Sequence, residues 1–131
     1  MIGLDTNVLV RFLVQDDVAQ GRAAKDLIGS CTQDAPGYIP REVMVELVWV
    51  LERAYNLGRE SVAAALDGLL GATEIVVEDA DRVARAVHYY AQDGFDFADQ
   101  MIASAAHQAG CETLYTFDKK ASKASGVSLI E

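Results

Sequence analysis

The sequence predicts an α/β fold, a three-layer α/β/α sandwich around a mainly parallel sheet, with residues 1–131 as one domain. Two observations predict it. Short apolar runs alternate with amphipathic helical repeats along the chain, the pattern of parallel strands covered on both faces. Two of those runs stop abruptly at an aspartate: Ile2-Gly3-Leu4 meets Asp5, and Thr113-Leu114-Tyr115-Thr116-Phe117 meets Asp118. In open α/β sheets the carboxyl ends of the strands border the ligand crevice.

The first helix comes directly after Asp5, where the spacing of Val8, Leu9, Phe12 and Leu13 is helical. Asp16-Asp17 precedes a second helix through Val18, Ala19, Ala23, Ala24, Leu27 and Ile28, which Gly29 closes. Residues 30–37 are small and polar, hence loop, and Tyr38-Ile39 makes a very short strand. Pro40 opens a helix over about residues 40–56, with a stripe at Val43, Leu47, Val50, Leu51 and Ala54. Glu46 lies beside that stripe and Glu42 one turn before it. Gly58 ends this helix, and Ser61–Leu70 forms the next. Glu74–Val77 reads as a strand, and a helix from Asp79 or Ala80 runs to Gly94. Asp96 then caps a helix whose inner face is Ala98, Ile102, Ala105, Ala106 and Ala109. Asp99 borders that face. After the strand at 113–117 come a short polar helix or turn at 119–125 and a last strand, Val127–Ile130.

Composition narrows the class. Half the residues are hydrophobic (51%), enough for a core at this length. No apolar run approaches the ~20 residues that span a bilayer. Asp5 interrupts the apolar start and no basic segment precedes it, so no signal peptide is expected and the protein is placed in the cytoplasm. Cys31 and Cys111 lack metal-ligand spacing and are expected as free thiols. A net charge of −9 argues against passive nucleic-acid binding, which wants a basic surface. It leaves room for an enzyme that gathers carboxylates around cations.

Four acids stand at positions a parallel sheet can bring together: Asp5 and Asp118 at strand ends, Asp99 at a helix start, and Glu46 on a helix flank. Such a cluster repels itself and raises its own pKa values unless a cation sits within it. An all-oxygen donor set selects Mg²⁺ or Mn²⁺, and acidic sites holding such ions cleave phosphoesters. Plainer roles exist for several of these acids: Asp5 and Asp96 as helix caps, Glu42 as a first-turn complement to the helix dipole.

The order Asp5-Thr6-Asn7, Glu46-Leu47 with Trp49-Val50-Leu51, Asp96-Phe97-Ala98-Asp99, and Thr116-Phe117-Asp118 resembles PIN-domain ribonucleases, specifically the VapC-type toxins of toxin–antitoxin pairs. The resemblance covers nearly the whole chain. It implies an endoribonuclease that leaves a 5′-phosphate and a 3′-hydroxyl. It assigns Asp5, Glu46, Asp99 and Asp118 to the acidic quartet, with Asp5, Asp99 and Asp118 toward the metal. Asn7, Asp96 and Thr116 take supporting positions. Arg11, Arg41, Lys119 and Lys120 are candidates for gripping RNA phosphates, against an ordinary role as surface charge.

The resemblance also implies a cognate antitoxin. Trp49, Val50, Leu51, Tyr55, Leu57, Leu66, Leu69 and Leu70 are more apolar surface than one core face takes. The surplus suits a partner helix or a homodimer contact. Rival readings are a receiver-like signalling module or a catalytically weak PIN fold that acts by protein binding. A receiver wants paired acids after its first strand, and a haloacid-type phosphatase wants D-x-D-x-T; Asp5-Thr6-Asn7 is neither.

Overall fold

The computed structural model describes residues 1–131. Its elements are β1 (Ile2–Gly3), α1 (Thr6–Val14), α2 (Val18–Gly29), β2 (Gly37–Ile39), α3 (Arg41–Arg53), α4 (Arg59–Gly71), β3 (Ile75–Val77), α5 (Ala80–Asp93), α6 (Phe97–Gln108), β4 (Leu114–Thr116), a 3-10 turn (Ala121–Lys123) and β5 (Val127–Leu129). The α/β alternation is as expected and every strand pair is parallel. The strands form two separate sheets, β1-β2-β3 and β4-β5. With two or three residues each, they make few ladder bonds, and helices carry the fold.

Leu4 leads β1 into the core. Its side chain closes over β2 so tightly that a Cβ on Gly37 would lie 2.8 Å from Leu4 Cδ1. Any larger residue there would force the Leu4 side chain to shift, so close approach favours glycine. One cluster of 21 buried residues runs from Leu4 to Met101. Nothing in β4 or β5 belongs to it, so the C-terminal strand pair sits at the periphery.

Two helix faces differ from the expected ones. In α3 the buried residues are Met44, Leu47, Val48 and Leu51, while Val43 and Val50 are half-buried and Ala54 is exposed. Periodicity sets the spacing of a stripe but not its phase where apolar residues occupy both flanks. Packing against α1, α4 and α6 selects the phase. In α6 the buried residues are Phe97 and Met101, whereas Ile102 is 54% exposed and Ala105 and Ala109 face solvent. Phe97 and Met101, four apart, bury more apolar area than the alanine stripe.

Boundaries also shift. Pro40 is the N-cap of α3, which ends at Arg53, and Gly58 caps α4 rather than closing α3. Of the surplus apolar residues, Leu51, Leu66 and Leu69 are core, Val50, Tyr55 and Leu70 pack against it, and Trp49 (59%) and Leu57 (37%) remain exposed. Both cysteines are free. No helix is long and apolar enough to cross a membrane.

Candidate active site

Asp5 leaves the end of β1 and becomes the N-cap of α1, accepting the Thr6 N–H at 2.8 Å. Asp5 and Asn7 are exposed, and Thr6 is buried. The Thr6 hydroxyl has no hydrogen-bond partner. The phase of α3 turns Glu46 outward, into the same hollow of about 300 Å³ as Asp5, Asn7, Arg11 and Tyr55. A second hollow, of about 320 Å³, takes Glu46 on its other flank together with Glu42, Glu52, Trp49 and Asp96. Glu46 thus borders both.

Asp96 caps α6 by accepting the Asp99 N–H at 3.0 Å. The cap expected of Asp96 is therefore present. The half-buried Asp99 carboxylate accepts no hydrogen bond from the protein. Burial pushes its pKa above the usual carboxylate range. The charges of Asp96 and Asp118 push the same way, and Lys120 offsets part of the effect. β4 thus delivers Asp118 and Lys120 to the N-terminal end of α6. Asp118 accepts the backbone N–H groups of Lys120 at 2.9 Å and Ala121 at 3.0 Å, and Thr116 Oγ1 accepts the Asp118 N–H at 3.0 Å.

The acids fall into two groups, Asp5 with Glu46, and Asp99 with Asp96 and Asp118; Glu46 and Asp96 meet in the second hollow. No three of them stand close enough to share an ion. The two strand-end aspartates leave different sheets, Asp5 following β1 and Asp118 following β4. The donor chemistry fits a hard divalent cation. Every donor is an oxygen, Asp99 carries a like-charge load that Lys120 only partly offsets, and the Thr6 hydroxyl beside Asp5 lacks a partner.

Two of the four phosphate-gripping candidates are engaged by other side chains. Arg11 donates to Asp16 and to the Tyr55 hydroxyl, each at 3.1 Å, and to Gln20 at 2.6 Å. Arg41 is paired with Asp79 and lies 3.7 Å from Glu42. Lys119 and Lys120 are exposed and form no ion pair. Glu52 is an acid of the second hollow that the sequence motifs do not single out; its spacing of seven from Val45 and three from Trp49, which line the same hollow, is the signal that could have found it. Asp79 and Tyr55 give no local signal, because their partners are distant in sequence.

An α/β fold with acids at strand ends and helix starts defines a class of acidic, phosphoester-directed sites. The model of the PIN domain family matches residues 2–127, and the chain belongs to that family. A VapC ribonuclease of Aquifex aeolicus (strain VF5) is 24% identical over 120 residues, which are 92% of this chain and 89% of that one. Among solved structures, Mycobacterium tuberculosis VapC20, described as a Sarcin-Ricin loop cleaving toxin, is 24% identical, with 97% of each chain covered and a TM-score of 0.47.

Proposed function

We propose that this chain is a divalent-metal-dependent endoribonuclease and the toxin of a toxin–antitoxin pair, working in the cytoplasm on RNA. The observation that carries the reading is Asp99. A half-buried carboxylate without a hydrogen bond, loaded by two neighbouring acids, is a costly arrangement that a bound cation relieves. PIN family membership and likeness to a VapC ribonuclease support RNA as the substrate class.

Asp5, Asp99 and Asp118 would hold Mg²⁺ or Mn²⁺ if the two groups of acids closed on the ion, and the bound ion would supply positive charge to the scissile phosphate and to an attacking water. Glu46, between the two hollows, would orient that water and take its proton. Asn7 and Thr116 support their neighbouring aspartates, and Asp96 holds the first turn of α6 through the Asp99 amide. Lys119 and Lys120 bind flanking phosphates as mobile point charges. Arg11 and Arg41 serve the fold.

The same acidity suits the antitoxin. A hollow holding Glu42, Glu46, Glu52 and Asp96 around Val45 and an exposed Trp49 accepts an arginine-bearing amphipathic segment, whose guanidinium pairs with the carboxylates. The exposed Leu57 and Trp49 leave apolar surface for a homodimer as well. Cleavage of a structured RNA by the purified chain with Mg²⁺ or Mn²⁺, abolished by EDTA and by Asp5→Asn, tests the reading. Undiminished cleavage in EDTA would refute it.

A further inference from the structure

We infer that Arg59, at the start of α4, is the positioning residue of the acidic site, and this rests on the metal-dependent reading above. Its guanidinium Nη1 donates to two carbonyls, Tyr90 O at 3.1 Å and Phe95 O at 2.8 Å. Tyr90 O is one of the last four carbonyls of α5, which have no partner inside the helix. Phe95 O belongs to the turn between α5 and α6, entered through Gly94 at φ +73. The residue after Phe95 is Asp96, whose carboxylate caps the Asp99 amide. One side chain therefore ties the end of α5, the turn, and the first residues of α6 to α4.

The tie is itself held in place. The Arg59 guanidinium carbon lies 4.5 Å from the centre of the Tyr90 ring, a cation–π geometry. Tyr90 is fully buried and meets Phe97 edge to face with ring centroids 6.4 Å apart. Its hydroxyl donates to Glu52 at 2.6 Å. Phe97 comes directly after Asp96, so the ring stack and the carbonyl clamp fix the same short segment from two sides. Gly94, at φ +73, gives that segment conformational freedom that the clamp and the ring contact limit. Arg59 is not among the charges that bear on Asp99. Its effect on the acids is one of placement.

Mn²⁺ titration calorimetry on the full chain tests this, together with amide hydrogen exchange of Asp99 by NMR. Arg59→Met keeps the stem over Tyr90 and removes both donors. It is expected to weaken Mn²⁺ binding by about ten- to hundredfold, the usual effect of losing a residue that orients ligands, and to speed exchange of the Asp99 amide. Leu66→Val, a buried change elsewhere in α4, controls for lowered stability and should leave both readings unchanged. Wild-type Mn²⁺ affinity and Asp99 protection in Arg59→Met would overturn the inference, as would equal weakening by Leu66→Val. If Arg59→Met does not fold, Arg59→Lys decides, because one ammonium on a shorter stem cannot span both carbonyls; wild-type values there overturn it too. If the wild type binds no Mn²⁺, or Asp99→Asn binds it as well, the metal-dependent reading falls and takes this inference with it. Loss in Asp99→Asn but not in Arg59→Met removes the inference alone.

Discussion

Asp99→Asn separates a metal ligand from a structural acid. The carboxylates of Asp5, Asp96 and Asp118 all accept backbone N–H groups, whereas that of Asp99 accepts none. Asparagine therefore costs no hydrogen bond and removes only charge. That charge is held in a half-buried place beside Asp96 and Asp118, with Lys120 as the offset. Like-charge terms at a partly solvated site are each some tenths of a kcal/mol, so the apo protein should gain on the order of 1 kcal/mol. For a chain of this size that raises the melting temperature by about 3–5 °C.

The pH dependence has a fixed sign. Because the folded-state pKa of Asp99 is raised, its protonation favours folding. That contribution is complete below about pH 4, the unfolded carboxylate value, and is lost as the pH rises through the folded value. The advantage of Asp99→Asn should therefore be absent at about pH 3.5 and full at neutral pH. Added Mn²⁺ at about a hundred times its Kd stabilises the wild type by about 2.7 kcal/mol and should leave the variant unmoved. Differential scanning fluorimetry across pH, with and without Mn²⁺, reads all three effects. A lower apo melting temperature in Asp99→Asn, or one that ignores pH, would refute the electrostatic reasoning.

Asp5→Asn keeps the cap on the Thr6 amide, so the fold should persist while RNA cleavage drops by several powers of ten; a gel assay with circular dichroism as control checks both, and full activity would sink the assignment. Tyr90→Phe breaks the bond to Glu52 and should cost about 1–2 kcal/mol in urea unfolding; an unchanged midpoint would show that Glu52 recovers its loss from water. Burial and the Glu52 bond both hold the Tyr90 hydroxyl protonated, so its phenolate absorbance should not appear until the pH is well above that of free tyrosine. Lys119→Ala with Lys120→Ala should weaken RNA binding and flatten its salt dependence by about one to two units of slope, whereas Arg41→Ala should lower stability and leave that slope unchanged. Co-expression with the product of an adjacent small gene should yield a complex that no longer cleaves RNA; a complex with undiminished cleavage would leave only the nuclease.

Local chemistry made much of this protein legible in its sequence. Asp5 and Asp118 announce themselves because each ends an apolar run, and Asp17 and Asp96 because each precedes a helical repeat; all four cap the helix or turn that comes next. Such signals span a few residues and need no partner. Tertiary structure decided the features that depend on distant groups. Packing chose the phase of α3, and with it the outward turn of Glu46, because Val43, Met44, Val50 and Leu51 offered two apolar faces of similar worth. Arg11 and Arg41 resembled free cations until Tyr55 and Asp79, 44 and 38 residues away, engaged them. Arg59 reaches the turn before Asp96 across 36 residues. The division of the strands into two sheets depends on pairing energies of strands only two or three residues long, too small to be written in any one stretch of chain.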